Sequence, residues 1–485
     1  MQNPIDTVVS FFNPVAGLKR AQARKVAEAV RDYDISSRSR RTDGWNSRKT
    51  SGSKEVSKAV SLATDRAQEL GRNNPLANRV KRVWANNIVG AGISVDVNEK
   101  SEVKADKFQI DWDLWAESTD CDFEGHYDLY GLEWLWANTV VESGGVFVRK
   151  HINVMMKMPL QLQTLEQDQL DRAKFGENIV DGVEYDGNGQ LKGYWFKMDN
   201  RNQTAQSKFF PAQNIVHIFR KERAGQHLGI TWLASVATLM RDYDTYKDAK
   251  LMQQQIAALF ALFIEDADQK MGLDVNNTTG TSSSPDELEP AMIQYVKQGT
   301  VPHTITPPKA DNSSNFDASL KRDMAVGCGL TYEQLTGDYS LVNFASGRMG
   351  RSEFYNELDY AQKLMFKPGL QKIFTWFASL HQVINGKGDY TTDWAFPPRA
   401  AVNPQEEFDV LAAKVRSGMM SPSKAAKVLG ERLEKVMAQW KKDKVLFGDL
   451  PFDIDPSKFA STGNQLDDND AASSNSDKKK VMKDE

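Results

Sequence analysis

Apolar residues recur every three or four positions through much of the chain, a period that indicates amphipathic helices. The most regular stretch runs over residues 232–264, and from Val236 onward it predicts a helical rod about 40 Å long. Breaks are expected at Pro75 and Pro368, because proline lacks the amide hydrogen that a helix interior needs. Other helical patterns cover residues 17–33, 58–89, 315–329, 348–383 and 403–446.

Strands are predicted where apolar and polar residues alternate instead. The sequence Asp-Gly-Asn-Gly at residues 186–189 predicts a tight hairpin, because these residue types accept positive φ. Gly90 and Gly92 are expected to end the helix predicted at residues 58–89, and a short strand follows them. We expect one small mixed sheet, with strands at residues 140–151, 160–171, 183–196 and 215–220.

Aromatic residues crowd the segment between residues 112 and 136. Their spacing favours helices that face a core over an exposed platform on which bases could stack. The residues concerned are Trp112, Trp115, Phe123, Tyr127, Tyr130, Trp134 and Trp136.

Composition narrows the class of protein. The 485 residues are 40% hydrophobic and 26% charged, which is enough for a large core, and the net charge of -4 differs from the basic excess of a static nucleic-acid binder. The longest apolar run, residues 256–264, is shorter than the roughly 20 residues that span a bilayer, so no membrane segment is expected. The start of the chain lacks a signal-peptide pattern, and Cys121 and Cys328 are expected to be free in a reducing cytosol.

Local charge is uneven along the chain. Residues 1–72 carry 14 Lys and Arg against 8 Asp and Glu, which indicates a solvated basic arm or, as the less favoured alternative, a contact with nucleic acid. Residues 265–290 hold 7 acidic residues and a single Lys, and this change predicts an exposed acidic excursion between two helices. From Ser461 the chain is rich in Asp, Asn, Ser and Lys, a composition typical of disorder.

Motifs for catalysis or cofactor binding do not stand out. No phosphate-binding Gly-rich loop is present, and the six histidines are scattered. Cys121 and His126, with Asp120 and Asp122 beside them, make only a weak case for a metal site. The Ser143-Gly-Gly sequence reads as a turn rather than a nucleophile elbow. We therefore expect no enzyme, no cofactor and no metal.

Four stretches, in this order and spacing, resemble the lambda-like portal proteins of tailed bacteriophages. They are RNNPLANR at residues 72–79 with NIVGAGI at 87–93, NIVH at 214–217, RAGQHLGITWL at 223–233, and LTYEQLTGDYSLVNFASGR at 330–348. The resemblance implies an α+β, mainly helical portal fold with a wing, a two-helix stem, a clip and a helical crown, assembled as a ring.

The resemblance also implies a division of the chain. A basic arm would occupy residues 1–50, the wing 51–235, the first stem helix 236–263, the clip 264–314, the second stem helix 315–330, a tunnel loop with a kinked long helix 331–402, the crown 403–460 and a disordered tail 461–485.

Site residues follow from the same resemblance. Candidates for DNA contact in the channel are Lys321, Arg322, Asn343, Arg348 and Arg351. The tunnel loop would include Tyr339, Ser340, Leu341, Val342 and Phe344. Candidates for docking the terminase in the clip are Asp286, Glu287 and Glu289.

The implied partners are those of a virion component that is assembled in the host cytoplasm and sits at the capsid vertex. They are identical copies in a dodecameric ring, transient double-stranded DNA, the terminase large subunit, the major capsid protein, the scaffold and head-tail connector proteins. Two alternatives stay open. A monomeric DNA-binding adaptor would bind duplex with a steep salt dependence, and a packaging enzyme would hydrolyse ATP.

Overall fold

Helices predominate in the fold, and short strands are inserted between them. The computed structural model describes Val15 and residues 50–197, 206–258, 262–265, 293–296, 313–340, 342–399, 403–431 and 433–447. The chain divides into two compact units, Met1–Glu55 and Val56–Glu485. The second unit contains the core and, apart from residues 52–55, the elements discussed below.

The first two helices are separated at the predicted break. Helix α1 spans Gly52–Asn73 and α2 spans Pro75–Ile88. Asn74 caps α2, because its Oδ1 accepts hydrogen bonds from the amides of Leu76 and Ala77, each at 2.9 Å. Past α2 the backbone turns through glycines with φ of +54° and +125° at positions 90 and 92 into strand β1, Ser94–Asn98, as expected.

Helix α3 spans Glu102–Ala116 and α4 spans Leu129–Ser143. The prediction that a β region opens at Val140 is wrong, since residues 140–143 form the last turn of α4. Gly144 ends the helix at φ +89°, and a Cβ added there would lie 2.4 Å from the carbonyl carbon of Ile230. The close passage of a second backbone therefore requires glycine at this position.

The strands between residues 145 and 211 and the strand at 215–219 form two separate antiparallel sheets, so the expected single mixed sheet is wrong. In the first sheet β2, Gly145–Ile152, lies between β3, Leu160–Glu166, and β8, Ile215–Phe219. The second sheet runs in chain order and comprises β4, Ile179–Val180, β5, Val183–Tyr185, β6, Leu191–Lys197, and β7, Ser207–Pro211. The predicted hairpin joins β5 to β6, where the Asp186 carboxylate accepts hydrogen bonds from the amides of Asn188 and Gln190.

The most regular helical pattern forms a shorter helix than predicted. Helix α5 spans Ala237–Ala258, which at 1.5 Å per residue is about 33 Å. Further along the same apolar run, strand β9, Leu262–Glu265, pairs in parallel with β10, Ile293–Val296. The first stem helix therefore does not reach residue 263, because a short run of Leu, Phe and Ile favours extended backbone.

Helix α6, Ser313–Gly327, begins and ends slightly before its predicted bounds and leads to the short helix α7, Tyr332–Thr336. The long helix that follows has three parts, which are α8, Phe344–Tyr360, a π-helical segment, Ala361–Phe366, and α9, Lys367–Asn385. The irregular segment ends next to Pro368, where a break was expected. Strand β11, Thr391–Ala395, then pairs antiparallel with β1.

Three helices close the described part of the chain. They are α10, Pro404–Arg416, α11, Pro422–Val428, and α12, Leu433–Phe447. The core itself lies elsewhere and includes clusters of packed aromatic rings. Trp84 packs against Trp232 and Phe354, with ring centroids 4.8 and 5.1 Å apart.

The aromatic segment predicted to face the core does so in part. Trp112, Trp115 and Trp136 are buried, whereas Phe123 and Tyr127 are exposed. Both cysteines are buried and free, as expected. Among the described helices, none combines the length and the apolar character that a bilayer crossing requires.

Candidate functional site

Helices α5 and α6 pack side by side in opposite directions. Gly327, at the end of α6, is next to Val236, just before α5 begins, and the Ser235 hydroxyl donates a hydrogen bond to the Gly327 carbonyl at 2.9 Å. Towards the other end of the pair, the rings of Phe316 and Tyr246 meet edge to face with centroids 5.6 Å apart. The two helices therefore form an antiparallel pair that brackets residues 259–312.

A cluster of three polar side chains joins the two helices. The Tyr243 hydroxyl on α5 donates a hydrogen bond to Asp317 Oδ1 on α6 at 2.6 Å, and Lys321 Nζ bonds Asp317 Oδ2 at 2.6 Å. The Lys321 ammonium also lies 5.9 Å from the centre of the Tyr243 ring. Lys321, a predicted channel contact, is thus engaged in the helix-to-helix contact within the subunit.

The electrostatics of the cluster agree with this geometry. Burial raises the pKa of Asp317, but the hydrogen bonds from Lys321 and Tyr243 outweigh it and hold that pKa below its ordinary value. Burial lowers the pKa of Lys321, and its bond to Asp317 more than reverses this. Burial and the bond to Asp317 together raise the pKa of Tyr243 to about 12. At neutral pH the cluster therefore holds a carboxylate, an ammonium and a neutral phenol.

Past α6 the chain is held close to α2. The Trp84 indole donates a hydrogen bond to the Cys328 carbonyl at 3.0 Å, and Arg79 Nε donates one to the Gln334 carbonyl at 3.0 Å. Arg322, the second predicted channel contact on α6, is exposed and lies over the Tyr332 ring, 5.2 Å from its centre. One face of the Arg322 guanidinium packs on the Tyr332 ring, and the N–H groups along its edge remain available to a ligand.

The described residues of the predicted tunnel loop form local contacts. Gly337 ends α7 at φ +75°, Asp338 Oδ1 accepts a hydrogen bond from the Ser340 amide at 3.0 Å, and Tyr339 projects into solvent. Val342 is half-buried. Asn343 caps α8 by accepting the Ser346 amide at 2.8 Å, so this predicted DNA contact has a structural role.

Two predicted loop positions, Phe344 and Leu341, do not belong to the described part of the loop. Phe344 is the first residue of α8 rather than part of a loop, because the Asn343 cap starts the helix there. Leu341 lies outside the described residues, and so do the clip candidates Asp286, Glu287 and Glu289. The basic arm and the tail beyond residue 447 also fall outside the described residues, apart from Val15 and Thr50.

An open surface cavity of about 390 Å³ lies beside the start of α8. Arg351 lines it together with Asn343, Tyr339 and Glu333. Within the part of the chain that the structure describes, Arg351 has no hydrogen-bond or ion-pair partner. Arg348, one turn earlier, lies 3.7 Å from the Glu406 carboxylate, and both side chains are more than half exposed.

The structure thus separates the five predicted channel contacts by role. Lys321 joins two helices, Arg322 lies over the Tyr332 ring, Asn343 caps a helix and Arg348 forms an exposed ion pair. Arg351 lies at a cavity without a partner among the described residues. Sequence reasoning missed Tyr243 and Asp317 as members of the α5–α6 contact. Asp317 and Lys321 are four residues apart on one helix, and this spacing could have predicted their ion pair. It could not have predicted the bond to Tyr243.

Metal-binding chemistry is not evident at this surface. Among the described residues no three His, Cys, Asp or Glu side chains converge as a metal site would require. At the weak candidate site, Asp122 Oδ2 accepts hydrogen bonds from the backbone amides of His126 and Tyr127. That carboxylate therefore organises a loop.

Comparison with known families gives one match that covers well over half of the chain. The model described as phage portal protein, lambda family, matches residues 38–362. The match includes α1 to α8 and the loop before α8, and it ends before α9.

Curated relatives carry similar names. A probable portal protein of Halomonas phage phiHAP-1 is 27% identical over 361 residues, covering 68% of this chain and 68% of the relative. The portal protein of Escherichia phage N15 is 20% identical over 459 residues, covering 82% and 86%. Portal protein B of Escherichia phage lambda is 22% identical over 305 residues, covering 54% and 57%.

Solved structures with some similarity include the neck of a native gene transfer agent particle. It has a TM-score of 0.43 and 15% identity, and the alignment covers 78% of this chain and 99% of that chain. The neck of an empty particle gives a TM-score of 0.43 and 16% identity, covering 75% and 93%.

Proposed function

This chain belongs to the lambda family of phage portal proteins, and from that premise we propose that its copies assemble as a dodecameric ring around an axial channel for double-stranded DNA. Proteins of this family are structural components of the virion at the capsid vertex, and they form oligomeric rings. The channel would serve DNA packaging and later DNA ejection. We propose no catalytic activity for the chain itself.

The observation that carries the proposal is the antiparallel pair of α5 and α6 around an insertion. One helix leads away from the body, residues 259–312 intervene, and the other helix returns to α7 and the loop before α8. Side by side in a ring, such pairs would form a wall with the insertions at one end. The Tyr243–Asp317–Lys321 contact supports this role, because it fixes one rod against the other within each subunit.

The parts of the chain take the following proposed roles, adjusted to the observed helix ends. The basic arm is residues 1–50, the wing residues 51–235, the stem α5 and α6, the clip the insertion between them, and the crown residues 403–460. The tunnel loop is residues 337–343, and α8 to α9 lead back to the wing. Residues 461–485 form the tail.

The clip would dock the terminase large subunit during packaging, with Asp286, Glu287 and Glu289 as candidate contacts, and head-tail connector proteins afterwards. The major capsid protein and the scaffold would meet the wing. Assembly would take place in the host cytoplasm. An ATPase assay on the purified chain separates this proposal from a packaging enzyme, which would show turnover without added terminase.

A sliding duplex requires few, sequence-blind contacts to phosphates rather than to base edges. Arg351 fits this requirement best among the five predicted contacts, since its guanidinium has no described partner within the subunit and borders an open cavity. Arg322 is a second candidate, because its charge is exposed. Lys321, Asn343 and Arg348 take part in contacts within the subunit, so they are weaker candidates.

The test is the Arg351→Ala variant, compared with Lys363→Ala. Lys363 also carries an exposed positive charge on the same long helix, where it pairs with Asp359 at 3.0 Å. We expect both variants to form rings, and only Arg351→Ala to package less DNA or to retain it less well. Normal packaging and retention by Arg351→Ala would refute its role at the channel.

A further inference from the structure

The three C-terminal helices have no core of their own. No residue of α10 or α11 is buried, and none of the described side chains of α12 is buried. The helices contain 13, 7 and 15 residues. Isolated helices shorter than about 12–15 residues are marginal in water, so these three need packing that the subunit itself does not supply.

Apolar residues that lack full packing lie on one face of α10 and on one face of α12. We name as the α10 stripe Phe408, Leu411 and Val415, and as the α12 stripe Leu433, Val436, Met437 and Trp440. In each set the spacing of three or four places the apolar side chains on one face of the helix. Phe408 is 50% exposed, Met437 52% and Trp440 42%. Leu411, Val415, Leu433 and Val436 are half-buried, so each helix presents an apolar face that the subunit covers only in part.

The links between these helices and the rest of the subunit are mainly charged. Lys427 of α11 pairs with Asp96 at 2.7 Å and with Asp393, and its side chain is 20% exposed. Arg348 meets Glu406 at 3.7 Å, and Lys435 meets Glu117 at 3.6 Å, on side chains that are about half exposed or more. Surface ion pairs of this kind contribute little to stability. They position the helices without covering either stripe.

The charges at the ends of the two helices are complementary. The first turn of α10 carries Glu406 and Glu407, and the end of α12 carries Lys441, Lys442 and Lys444. If the two helices packed antiparallel, the acidic start of one would lie beside the basic end of the other, with Phe408 opposite Trp440 and Val415 opposite Leu433. Such an arrangement would place apolar side chains against apolar side chains, and acidic side chains against basic ones, along the whole contact.

The chain's own tail is a poor candidate for covering the stripes. In residues 448–485 Leu450 and Ile454 stand four residues apart, but Pro451 and Pro456 interrupt this part of the tail, and from Ser461 the chain is mostly polar. A second copy of this chain, by contrast, brings a complementary stripe of matching length. In a ring each copy uses two different surfaces, one towards each neighbour.

We propose that the α10 stripe of one copy packs against the α12 stripe of the neighbouring copy, and that residues 404–447 complete their fold only when that contact forms. The inference rests on the ring proposed above and adds to it a surface and a folding step. Assembly then stabilises the crown, and an unassembled subunit carries these helices in a loosely held state.

Hydrogen exchange on the full-length protein measures the folding step. Ring and unassembled fractions of one preparation are separated by size and labelled under the same conditions. We expect the amides of residues 404–447 to exchange about a hundredfold more slowly in the ring, while the core helices α2 and α4 exchange alike in both. Equal exchange of residues 404–447 in the two fractions would overturn the inference.

Two matched variants test the surface. Trp440→Asp places a charge on the α12 stripe, and Val445→Asp places one at a position of the same helix that is 86% exposed and lies off the stripe. Trp440→Asp should abolish the extra protection of residues 404–447 in any ring that forms, and Val445→Asp should keep it. Retained protection in Trp440→Asp would contradict the proposed contact.

Cysteine cross-linking identifies the neighbour. In the Phe408→Cys/Lys441→Cys variant, oxidation should give a ladder of covalent oligomers, because the native cysteines are buried. Either substitution alone should give none. A cross-link confined to the monomer would mean that the stripes meet within one chain, and no cross-link at all would mean that they do not meet.

These outcomes are distinct from a failure of the ring itself. If the wild-type protein forms no ring under any condition, the proposed function is wrong. If a ring forms while residues 404–447 remain unprotected and the two cysteines do not link neighbouring copies, only the present inference is wrong.

Discussion

Replacing Tyr243 with Phe tests whether the polar cluster holds α5 against α6. The substitution removes one hydroxyl and keeps the buried ring, so it deletes the 2.6 Å hydrogen bond to Asp317 and little else. Asp317 retains its bond to Lys321. The perturbation is therefore confined to the link between the helices.

The expected cost follows from the kind of hydrogen bond that is lost. A hydrogen bond to a charged group contributes about 1.5–3 kcal/mol. We therefore expect the free energy needed to separate α5 from α6 to fall by about 2 kcal/mol. That loss corresponds to roughly thirtyfold faster hydrogen exchange of the amides that depend on this contact. Helix α4, which belongs to the core, should be unaffected.

Tyr246→Phe is the matched control. Tyr246 lies nearly one turn further along α5 and packs on Phe316, and the structure records no hydrogen bond for its hydroxyl among the described residues. Its removal should change exchange in α5 and α6 by less than about twofold. If Tyr243→Phe changed exchange no more than Tyr246→Phe does, the cluster would not be the link between the two helices.

The same contact predicts a pH dependence. The pKa of Asp317 is held below its ordinary value of 3.8, so the stability that this carboxylate contributes is present above that value and is lost as the pH falls through the lower, folded-state pKa. The difference in urea midpoint between wild type and Tyr243→Phe should therefore shrink on going from neutral pH to about pH 2.5. A difference that stays constant over this range would refute the assignment of the charge.

Three further substitutions test the account of the core, each by urea denaturation. Gly144→Ala should lower the free energy of unfolding by at least about 2 kcal/mol, because φ is +89° and the backbone of Ile230 leaves no room for a Cβ; a cost near zero would contradict this close approach. Trp84→Phe should cost about 2 kcal/mol, since it leaves the Cys328 carbonyl without its indole donor, and an unchanged midpoint would show that the bond is dispensable. Burial raises the pKa of Glu133 well above 4.5, so stability is lost as the pH rises towards the folded-state pKa. Glu133→Gln should therefore gain stability relative to wild type from pH 5 to pH 9, and a flat difference would mean that the carboxyl is not neutral in the fold.

Features governed by neighbouring residues could be predicted from the sequence. The corner between α1 and α2 is an example, because Asn74 supplies the cap and Pro75 cannot continue the preceding helix. The hairpin at Asp186 and the glycine stop after α2 also depend on backbone preferences of one or two residues. Nothing distant in the chain needs to be known for these predictions.

Features set by distant contacts could not be predicted in this way. Val140 looks like the start of a strand, but the chain continues as a helix until Gly144, where the backbone of Ile230 passes close by. Similarly, the apolar residues after Ala258 continue a helical period, yet residues 262–265 pair with a strand about 30 residues later. In both places tertiary contacts outweigh the local pattern.

The candidate site shows the same division. The resemblance to the portal family located the loop before α8 and the basic residues near it. It did not show which of these residues already form contacts within the subunit. That Asn343 caps a helix follows from local sequence, since it precedes the first turn of α8. The pairing of Lys321 with Asp317 also has a local signal in their spacing of four. The bond from Tyr243 to Asp317 depends on how α6 lies against α5, which no local pattern reports.

Electron microscopy of the purified full-length protein tests the central claim most directly. The account predicts closed rings of identical copies around an open axial channel, with paired helices in the wall and the crown ordered at one end. Only compact single subunits, both in the purified material and at the virion vertex, would contradict it.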